Sequence, residues 1–256
     1  MASERFDVGG QVVIITGAGQ GLGRDYALAF AEAGAIPVLA EIDGGNVRKG
    51  AAEIEARGGK SLAVETDVGD PASVEAMVAR TLDAFGRIDV LINNAAIFAS
   101  IPRRRFDEIP YDEWNRVLHV NITGSYLCAR AVVPAMRKAG RGRIINISSG
   151  TVPQGVPGFM HYVTSKAAIV GMTRVMAREL GDENINVNAV MPGYTETEVA
   201  HASMDPEMHK FIQNKRILKR AETPDDLIGI VMFLASPASA FITGQSIACC
   251  GGEVML

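Results

Sequence analysis

Tyr162 and Lys166 stand four residues apart in a segment whose pattern predicts a helix, so their side chains share one helical face. A free phenol has a pKa of about 10, whereas taking a proton from an alcohol near neutral pH needs a base of pKa about 7. An ammonium at ~4 Å, in an effective dielectric of ~20, supplies about 4 kcal/mol, which matches that shift of about three units. The pair therefore predicts proton transfer at an alcohol or ketone oxygen, and a snorkelling surface pair is the competing interpretation.

Further polar residues favour the first interpretation. Ser148 and Ser149 end a predicted strand 14 and 13 residues before Tyr162, where a hydroxyl can bond the reacting oxygen. Asn121 lies inside a predicted helix, where asparagine is unfavourable unless its side chain has another bonding role.

A glycine-rich turn, Thr16-Gly-Ala-Gly-Gln-Gly-Leu-Gly23, follows the first predicted strand directly. A pyrophosphate at a helix N-terminus requires a tight turn, a close backbone approach and a helix packed closely on the strand. Gly17, Gly21 and Gly23 can meet these requirements in that order. The turn therefore predicts a dinucleotide site, although a glycine-rich turn alone also occurs in ordinary loops.

Glu41 ends the second predicted strand, 20 residues after Gly21, where a dinucleotide fold places the acid that bonds the adenosine ribose. A 2′-phosphate beside it would cost about 4 kcal/mol per unit charge at ~4 Å and an effective dielectric of ~20, so NAD is predicted over NADP. Two alternatives stay open: Asp43 as the ribose partner, and Arg48 or Lys49 as a partner for a 2′-phosphate.

Short β-branched runs alternate with longer helical segments along the whole chain. The predicted strands are Val12–Thr16, Ile36–Glu41, 61–66, 88–93, 143–148, 185–190 and Ser246–Cys249. The predicted helices run to residue 33, over 46–57, from Pro71, and over 112–138, 159–180 and 224–235. This alternation predicts an α/β protein with one domain over residues 1–256: a doubly wound parallel sheet of about seven strands with helices on both faces.

Residues 194–220 depart from this alternation. The segment follows the carboxyl end of a strand, where ligands of such sheets bind, and this favours a substrate lid over a surface excursion. Its polar and Met-bearing character comes from Tyr194, His201, Met204, Met208, Lys210, Lys215 and Arg216.

Taken together, these motifs resemble the short-chain dehydrogenase/reductase family over nearly the full chain, which implies a Rossmann fold. The matching positions are 16–23, Asp67-Val68, Asn93-Asn94-Ala95-Ala96, Asn121, Ser149, Tyr162-Val-Thr-Ser-Lys166 and Pro192-Gly193. The resemblance implies that Tyr162 is the acid/base, that Lys166 lowers its pKa and bonds the nicotinamide ribose, and that Ser149 positions the carbonyl or alcohol. It also implies that Asn121 holds a water in a proton relay.

The resemblance assigns cofactor contacts as well. These are Gly17, Gln20, Gly21, Leu22, Gly23, Glu41, Asp67, Val68, Asn93, Ala95, Tyr162, Lys166, Pro192, Gly193, Thr195 and Thr197. Gln20 agrees with NAD, since many NADP users carry a basic residue there. The chain departs from the family pattern at Ala96 and at Cys249-Cys250, and the cysteine pair is interpreted as small buried residues, with an oxidisable pair as the alternative.

Composition excludes several other classes. With 25 basic and 29 acidic residues among 256, the net charge of −4 gives no reason to expect nucleic acid or a membrane as partner. The three cysteines have no zinc-ligand spacing, so no metal is expected, and they favour reduced thiols. The amino-terminal residues lack a signal-peptide pattern and the apolar runs are short, so a cytoplasmic protein is predicted.

The predicted function is an NAD-dependent oxidoreductase for a small-molecule secondary alcohol or ketone, cyclic or aromatic because the expected lining is apolar. Substrate contacts are assigned to Thr151, Gln154, Phe159 and Tyr194, and the wider lining to Ile97, Phe98 and Met160. The alternatives are an NADPH-dependent 3-oxoacyl or carbonyl reductase and a non-catalytic dinucleotide-binding regulator. Arg103, Arg104 and Arg105 either reach a carboxylate or carrier phosphate or remain solvated. The family pairs its long helices across two-folds, so a homodimer or homotetramer is expected.

Overall fold

The computed structural model describes residues 2–203 and 205–255, so position 204 of the predicted lid lies outside it. Seven strands form one parallel sheet in the order β3-β2-β1-β4-β5-β6-β7. They are β1 (Val12–Thr16), β2 (Ile36–Glu41), β3 (Leu62–Glu65), β4 (Val90–Asn93), β5 (Gly142–Ile147), β6 (Ile185–Pro192) and β7 (Ser246–Cys249). The predicted single-domain, doubly wound fold is confirmed.

The helices are α1 (Ala2–Arg5), α2 (Gly21–Glu32), α3 (Gly44–Ala56), α4 (Pro71–Phe85), α5 (Tyr111–Leu118), α6 (Ser125–Ala139), α7 (Thr151–Gln154), α8 (Met160–Leu180), α9 (Pro206–Lys215) and α10 (Pro224–Ala235). Short 3₁₀ turns cover Phe106–Glu108, Gly181–Glu183 and Pro237–Ser239. The sequence pattern did not indicate α9, which lies inside the predicted lid.

The segment predicted as one helix over 112–138 is α5 and α6 joined by a π-helical turn, His119–Gly124. Asn121 lies in this turn, and its side chain bonds to neighbouring segments. Gly124 closes the turn against Val68, because a Cβ at Gly124 would lie 2.7 Å from Val68 Cγ2. A local widening of the helix therefore seats a polar side chain and a close packing contact, as π turns often do at functional sites.

The apolar strands serve two cores, one on each face of the sheet. Successive side chains point to opposite faces, so Val12 and Ile14 pack with α4, α6 and α8, whereas Val13 and Ile15 pack with α2, α3 and α10. All four side chains are at most 1% exposed. Because both faces of the sheet are covered, every position of such a strand is apolar, and this produces the continuous apolar runs in the sequence.

The strand order reverses between β1 and β4, and this reversal creates a crevice at the carboxyl edge of the sheet. The glycine turn follows β1 there, Asn94 follows β4, Ser148-Ser149 follow β5 and Gly193 follows β6. The fold thus brings every predicted motif to one edge.

Within the described ranges, the three cysteines are free, and no group of three His, Cys, Asp or Glu side chains could hold a metal ion. Cys249 packs against one core and Cys250 is buried, as expected for small apolar side chains. None of the described helices is both long and apolar enough to cross a bilayer.

Candidate active site

A cavity of about 1140 Å³ opens at this carboxyl edge. Of the predicted site residues, it is lined by Gly17, Gln20, Gly21, Leu22, Glu41, Asp67, Val68, Ala95, Ser149, Thr151, Gln154, Phe159, Tyr162, Lys166, Pro192, Gly193, Tyr194, Thr195 and Thr197. We call the part around the glycine turn, Glu41 and Asp67 the dinucleotide end. The part formed by residues 97–103, residues 151–162 and the segment 194–215 is the substrate end.

The glycine turn is a close backbone cradle in which side chains do not fit. Gly17 has φ +66°, and a Cβ there would lie 2.8 Å from Ala95 Cα. A Cβ at Gly23 would lie 2.2 Å from the Gly17 carbonyl oxygen, so this glycine lets α2 pack directly on the turn. Gly23 itself does not line the cavity and acts through this packing.

The backbone donors of the turn already face anions. The Gly21 N–H donates to Glu198 Oε1 at 2.8 Å, and the Gly19 N–H donates to Glu41 Oε2 at 3.2 Å. Gly21 begins α2, so Glu198 occupies the positive end of a helix dipole, where a phosphate also binds well. Burial and the nearby Glu198 raise the pKa of Asp25 in α2 to about 6. The donor set therefore fits the pyrophosphate of a dinucleotide, provided that Glu198 moves aside.

Glu41 ends β2 and lines the cavity, as predicted. The alternative ribose partner, Asp43, instead caps α3 by accepting from the Gly45 N–H at 2.8 Å and the Asn46 N–H at 3.0 Å. Those bonds lower the pKa of Asp43. Neither Arg48 nor Lys49 lines the cavity, so the residues present favour Glu41 as the ribose partner.

Three polar groups meet on the cavity floor near the start of α8. Lys166 Nζ donates to the Ile147 carbonyl oxygen at 2.7 Å and lies 5.7 Å from the centre of the Tyr162 ring. Ser149 Oγ accepts from the Thr151 N–H at 3.2 Å and from Thr151 Oγ1 at 3.0 Å. With both lone pairs of Ser149 engaged, its own proton is left to donate to Tyr162 or to a substrate oxygen.

The predicted lowering of the Tyr162 pKa is not found in this structure. Burial raises the pKa of Tyr162 to about 12 and outweighs the opposing hydrogen bond from Ser149. Burial also lowers the pKa of Lys166 to about 8, because a water-poor site disfavours both charged forms. The Lys166 ammonium donates to a carbonyl and not to the phenol, so Tyr162 is a neutral phenol in this arrangement.

The side chain of one predicted cofactor contact, Asn93, points away from the cavity. Asn93 does not line the cavity: its amide donates to Asn146 Oδ1 at 2.9 Å and to the Ser125 carbonyl at 3.3 Å. Its neighbour Asn94 lines the cavity instead, and its amide donates to the Thr16 carbonyl at 3.0 Å. Successive side chains of an extended chain point to opposite sides. Asn93 at the end of β4 therefore contacts its register partner Asn146 in the neighbouring strand β5, whereas Asn94 points the other way, into the cavity.

Asn121 is 1% exposed and lies behind the cavity wall. Its Oδ1 accepts from the Ile97 N–H at 2.8 Å, and its Nδ2 donates to Ser165 Oγ at 3.0 Å. The side chain is therefore engaged in positioning the strand-end segment against α8, and its role in a proton relay stays a prediction.

Aromatic rings form the wall of the substrate end. Phe98 stacks on Tyr162 with ring centres 4.3 Å apart and meets Phe159 at 5.6 Å. His201 lies edge-on to Phe98 at 5.2 Å and to Tyr194 at 5.3 Å. We call these rings, other than Tyr162, the aromatic row. Three residues of the predicted lining, Phe98, Phe159 and Tyr194, belong to this row.

One predicted lining residue lies outside this wall. Met160 is 46% exposed and does not line the cavity, because it occupies the outer face of the first turn of α8.

The segment predicted as a lid covers the substrate end, and one buried cation anchors it. Arg216 is 2% exposed, donates to the Tyr194 carbonyl at 2.6 Å, and lies 3.7 Å from both Glu222 and Glu253. The hydroxyl of Thr195 donates to Glu222 Oε1 at 2.7 Å, so that hydroxyl is engaged away from any cofactor. The sequence showed Arg216 only as one of the polar residues of the segment, and the three-dimensional packing identifies it as an internal ion-pair centre.

The fold and this site define a dinucleotide-binding oxidoreductase of the Rossmann type. A family model described as Enoyl-(Acyl carrier protein) reductase matches residues 17–253. The chain therefore belongs to the short-chain dehydrogenase/reductase family.

Individual relatives span almost the whole chain. The (2S)-[(R)-hydroxy(phenyl)methyl]succinyl-CoA dehydrogenase subunit BbsD of Thauera aromatica is 39% identical over 243 residues, covering 95% of this chain and 96% of its own. A 3-oxoacyl-[acyl-carrier-protein] reductase of Synechocystis sp. is 38% identical, covering 96% and 97%.

Solved structures agree with the fold. A short-chain type dehydrogenase/reductase from Mycobacterium marinum has a TM-score of 0.90 and 35% identity, covering 100% of both chains. A 3-ketoacyl-(acyl-carrier-protein) reductase from Brucella melitensis, complexed with NADH, has a TM-score of 0.89 and 32% identity, covering 96% of this chain and 99% of its own.

Proposed function

We propose that the protein transfers a hydride between NAD(H) and a secondary alcohol or ketone that carries a cyclic or aromatic group. The observation that supports NAD is Glu41, whose carboxylate ends β2, lines the cavity and accepts from the Gly19 N–H. A carboxylate at this position accepts hydrogen bonds from ribose hydroxyls and repels a 2′-phosphate. The aromatic row supports the substrate class, since flat apolar groups pack well against rings.

Each residue has a defined part in the mechanism. The glycine turn and Glu41 would hold the pyrophosphate and adenosine ribose, and Lys166 would bond the nicotinamide ribose. The bound dinucleotide supplies the hydride acceptor or donor. The Ser149 proton orients the substrate oxygen, and Tyr162 exchanges the proton: its phenolate takes the proton of the alcohol during oxidation, and its phenol returns one to the ketone oxygen during reduction. The positive charge of Lys166 favours the phenolate while that transfer occurs.

Cofactor titrations test the assignment. We expect the wild type to bind NADH more tightly than NADPH, and Glu41→Ala to gain affinity for NADPH by about 10²- to 10³-fold, because the like-charge repulsion of about 4 kcal/mol is removed. Glu65→Ala is the matched control, since Glu65 pairs in register with Glu41 but ends β3 outside the cavity. Tighter NADPH binding by the wild type would reject the NAD assignment.

A second candidate is a 3-oxoacyl or carbonyl reductase that uses NADPH. The similarity to the Synechocystis 3-oxoacyl reductase favours it, whereas Glu41 disfavours its cofactor. A screen of secondary alcohols with NAD⁺ and of 3-oxoacyl thioesters with NADPH separates the two. Tight NADH binding without turnover of any of these would instead indicate the non-catalytic regulator.

We also propose that the chain forms homodimers or homotetramers in the cytoplasm. Tyr126 on α6 and Val175 on α8 are about half exposed, at 49% and 55%, and such apolar surface on the two long helices suits a helix-to-helix contact. The free cysteines suit a reducing compartment.

A further inference from the structure

Three consecutive arginines precede α5, and they differ in what they contact. Arg104 Nε lies 3.7 Å from Glu113, and Arg105 Nε lies 3.1 Å from Asp107. Arg103 has no carboxylate within ion-pair distance among the described residues, and it alone of the three lines the cavity. All three arginines are exposed, and the run separates into two cations that are paired with carboxylates and one, Arg103, that lines the substrate end without such a partner among the described residues.

Arg103 is held in place at the cavity. Its guanidinium lies 5.4 Å from the centre of the Phe159 ring, a distance at which a cation is attracted to the ring face. Its aliphatic stem lies against Gly158, where an added Cβ would be 3.2 Å from Arg103 Cγ. The backbone is fixed too, because the Arg104 N–H donates to the Gly158 carbonyl at 3.1 Å. Phe159 immediately precedes α8 and stands three residues before Tyr162, so the cation is joined rigidly to the catalytic helix.

Charge is unevenly distributed around the cavity. The carboxylates of Glu41 and Asp67 lie at the dinucleotide end. At the substrate end, Glu253 lines the cavity but lies 3.7 Å from the buried Arg216. Lys215 also lines the cavity and stacks over a ring, with its Nζ 4.5 Å from the centre of Phe211. The substrate end therefore combines apolar rings with uncompensated positive charge.

We propose that Arg103 binds an anionic group of the substrate, a carboxylate or a phosphate, while the aromatic row packs against its ring. This inference rests on the proposed alcohol–ketone activity and adds the charge of the substrate to it. The guanidinium fork is suited to oxyanions, since it donates two parallel hydrogen bonds to a carboxylate or phosphate. The anion has two sources, a carboxylate on the substrate itself or the phosphates of an acyl-carrier thioester.

Paired substrates test the proposal. We would compare 3-hydroxy-3-phenylpropanoate, its coenzyme A thioester and the uncharged 1-phenylpropan-1-ol as substrates of the wild type, Arg103→Ala, Arg103→Lys and Arg105→Ala. The anionic substrate that is recognised should lose about 10- to 100-fold in kcat/KM with Arg103→Ala, through KM, and recover part of this with Arg103→Lys. The uncharged alcohol should change less than about twofold, and Arg105→Ala should leave all three unchanged. A loss confined to the free acid identifies a carboxylate, and a loss confined to the thioester identifies carrier phosphates.

Binding measured without turnover separates this proposal from the proposed function. Calorimetric titration of the NADH-loaded protein with 3-phenylpropanoate, 3-phenylpropanamide and coenzyme A gives affinities that need no reaction. Preference for one of the anions over the amide, lost in Arg103→Ala, supports the anion site even if no alcohol is oxidised. Normal NADH binding and turnover of the uncharged alcohol, with no preference for either anion, would overturn the anion site and leave the proposed function standing. Equal losses for charged and uncharged ligands in Arg103→Ala would also overturn it.

Discussion

The dinucleotide end and the substrate end of the cavity are built in opposite ways. The dinucleotide end consists of backbone N–H groups and strand termini, with Gly17 and Gly23 in contacts that leave no room for a Cβ. The substrate end consists of side chains from loops and helices, with the aromatic row and an uncompensated Arg103, and the buried Arg216, which does not line the cavity, anchors the segment 194–215. The first end depends mainly on close backbone packing at its glycines, with the carboxylates of Glu41 and Asp67 as its charged side chains, whereas the second end is formed by side chains throughout.

This difference separates what each end controls. A backbone cradle suits the cofactor, which is the same whatever the substrate, and its glycines tolerate few substitutions. A side-chain wall can be altered without disturbing the sheet, so it sets which alcohol is accepted. Tyr162 lies where the two ends meet. Mutations at Tyr162 and in each end test whether catalysis, stability and cofactor affinity depend on different parts of the site.

The largest expected effect is at that boundary. Tyr162→Phe removes the hydroxyl that exchanges the proton, so kcat/KM should fall by roughly 10²- to 10⁴-fold, as measured by NAD⁺ reduction with the best alcohol. The affinity for NADH, measured by fluorescence titration, should stay within about twofold. Near-normal turnover would remove Tyr162 from the acid/base role.

The next effect concerns the stability of the substrate end. Arg216→Met leaves the buried carboxylates of Glu222 and Glu253 without their cation, and burial already raises the pKa of Glu222. Chemical denaturation should show a loss of roughly 3–5 kcal/mol in the free energy of unfolding. The control Arg220→Met removes a largely exposed partner of Asp226, so the loss should be clearly smaller than in Arg216→Met. Equal losses in the two variants would mean that Arg216 is no internal anchor.

The smallest effect lies at the contact between the two ends. Glu198→Gln replaces the carboxylate that accepts from the Gly21 N–H with a neutral amide. This weakens the bond that competes with the cofactor, so NADH affinity should rise about two- to fivefold. Removing the Glu198 charge should also move the pKa of Asp25 down from about 6, which carbon-detected NMR titration can follow, although burial still holds it above its usual value. Glu196→Gln is the control, because Glu196 lies 3.4 Å from His209 and away from the turn. Unchanged NADH affinity in Glu198→Gln would show that Glu198 does not compete with the cofactor.

The sequence located the segments that line the dinucleotide end, because glycine spacing, strand ends and the position of Glu41 are local signals tied to a regular fold. It erred at Asn93, where one step along a strand decides which side a side chain faces. For Asn121, helix propensity indicated only that the side chain has a bonding role, and the structure identifies its partners as Ile97 and Ser165. The burial of Arg216, the contact of Glu198 with Gly21 and the separation of Arg103 from its neighbours depend on packing between distant segments, and no local pattern carries that information.

The Glu198–Gly21 contact has a consequence for the order of events in the cleft. Glu198 belongs to the segment that roofs the substrate end, yet its carboxylate sits where a pyrophosphate fits. We expect the dinucleotide to displace this carboxylate from the Gly21 N–H when it binds, and the substrate to bind afterwards. Steady-state turnover should accordingly follow a compulsory sequence, with the dinucleotide first in and last out.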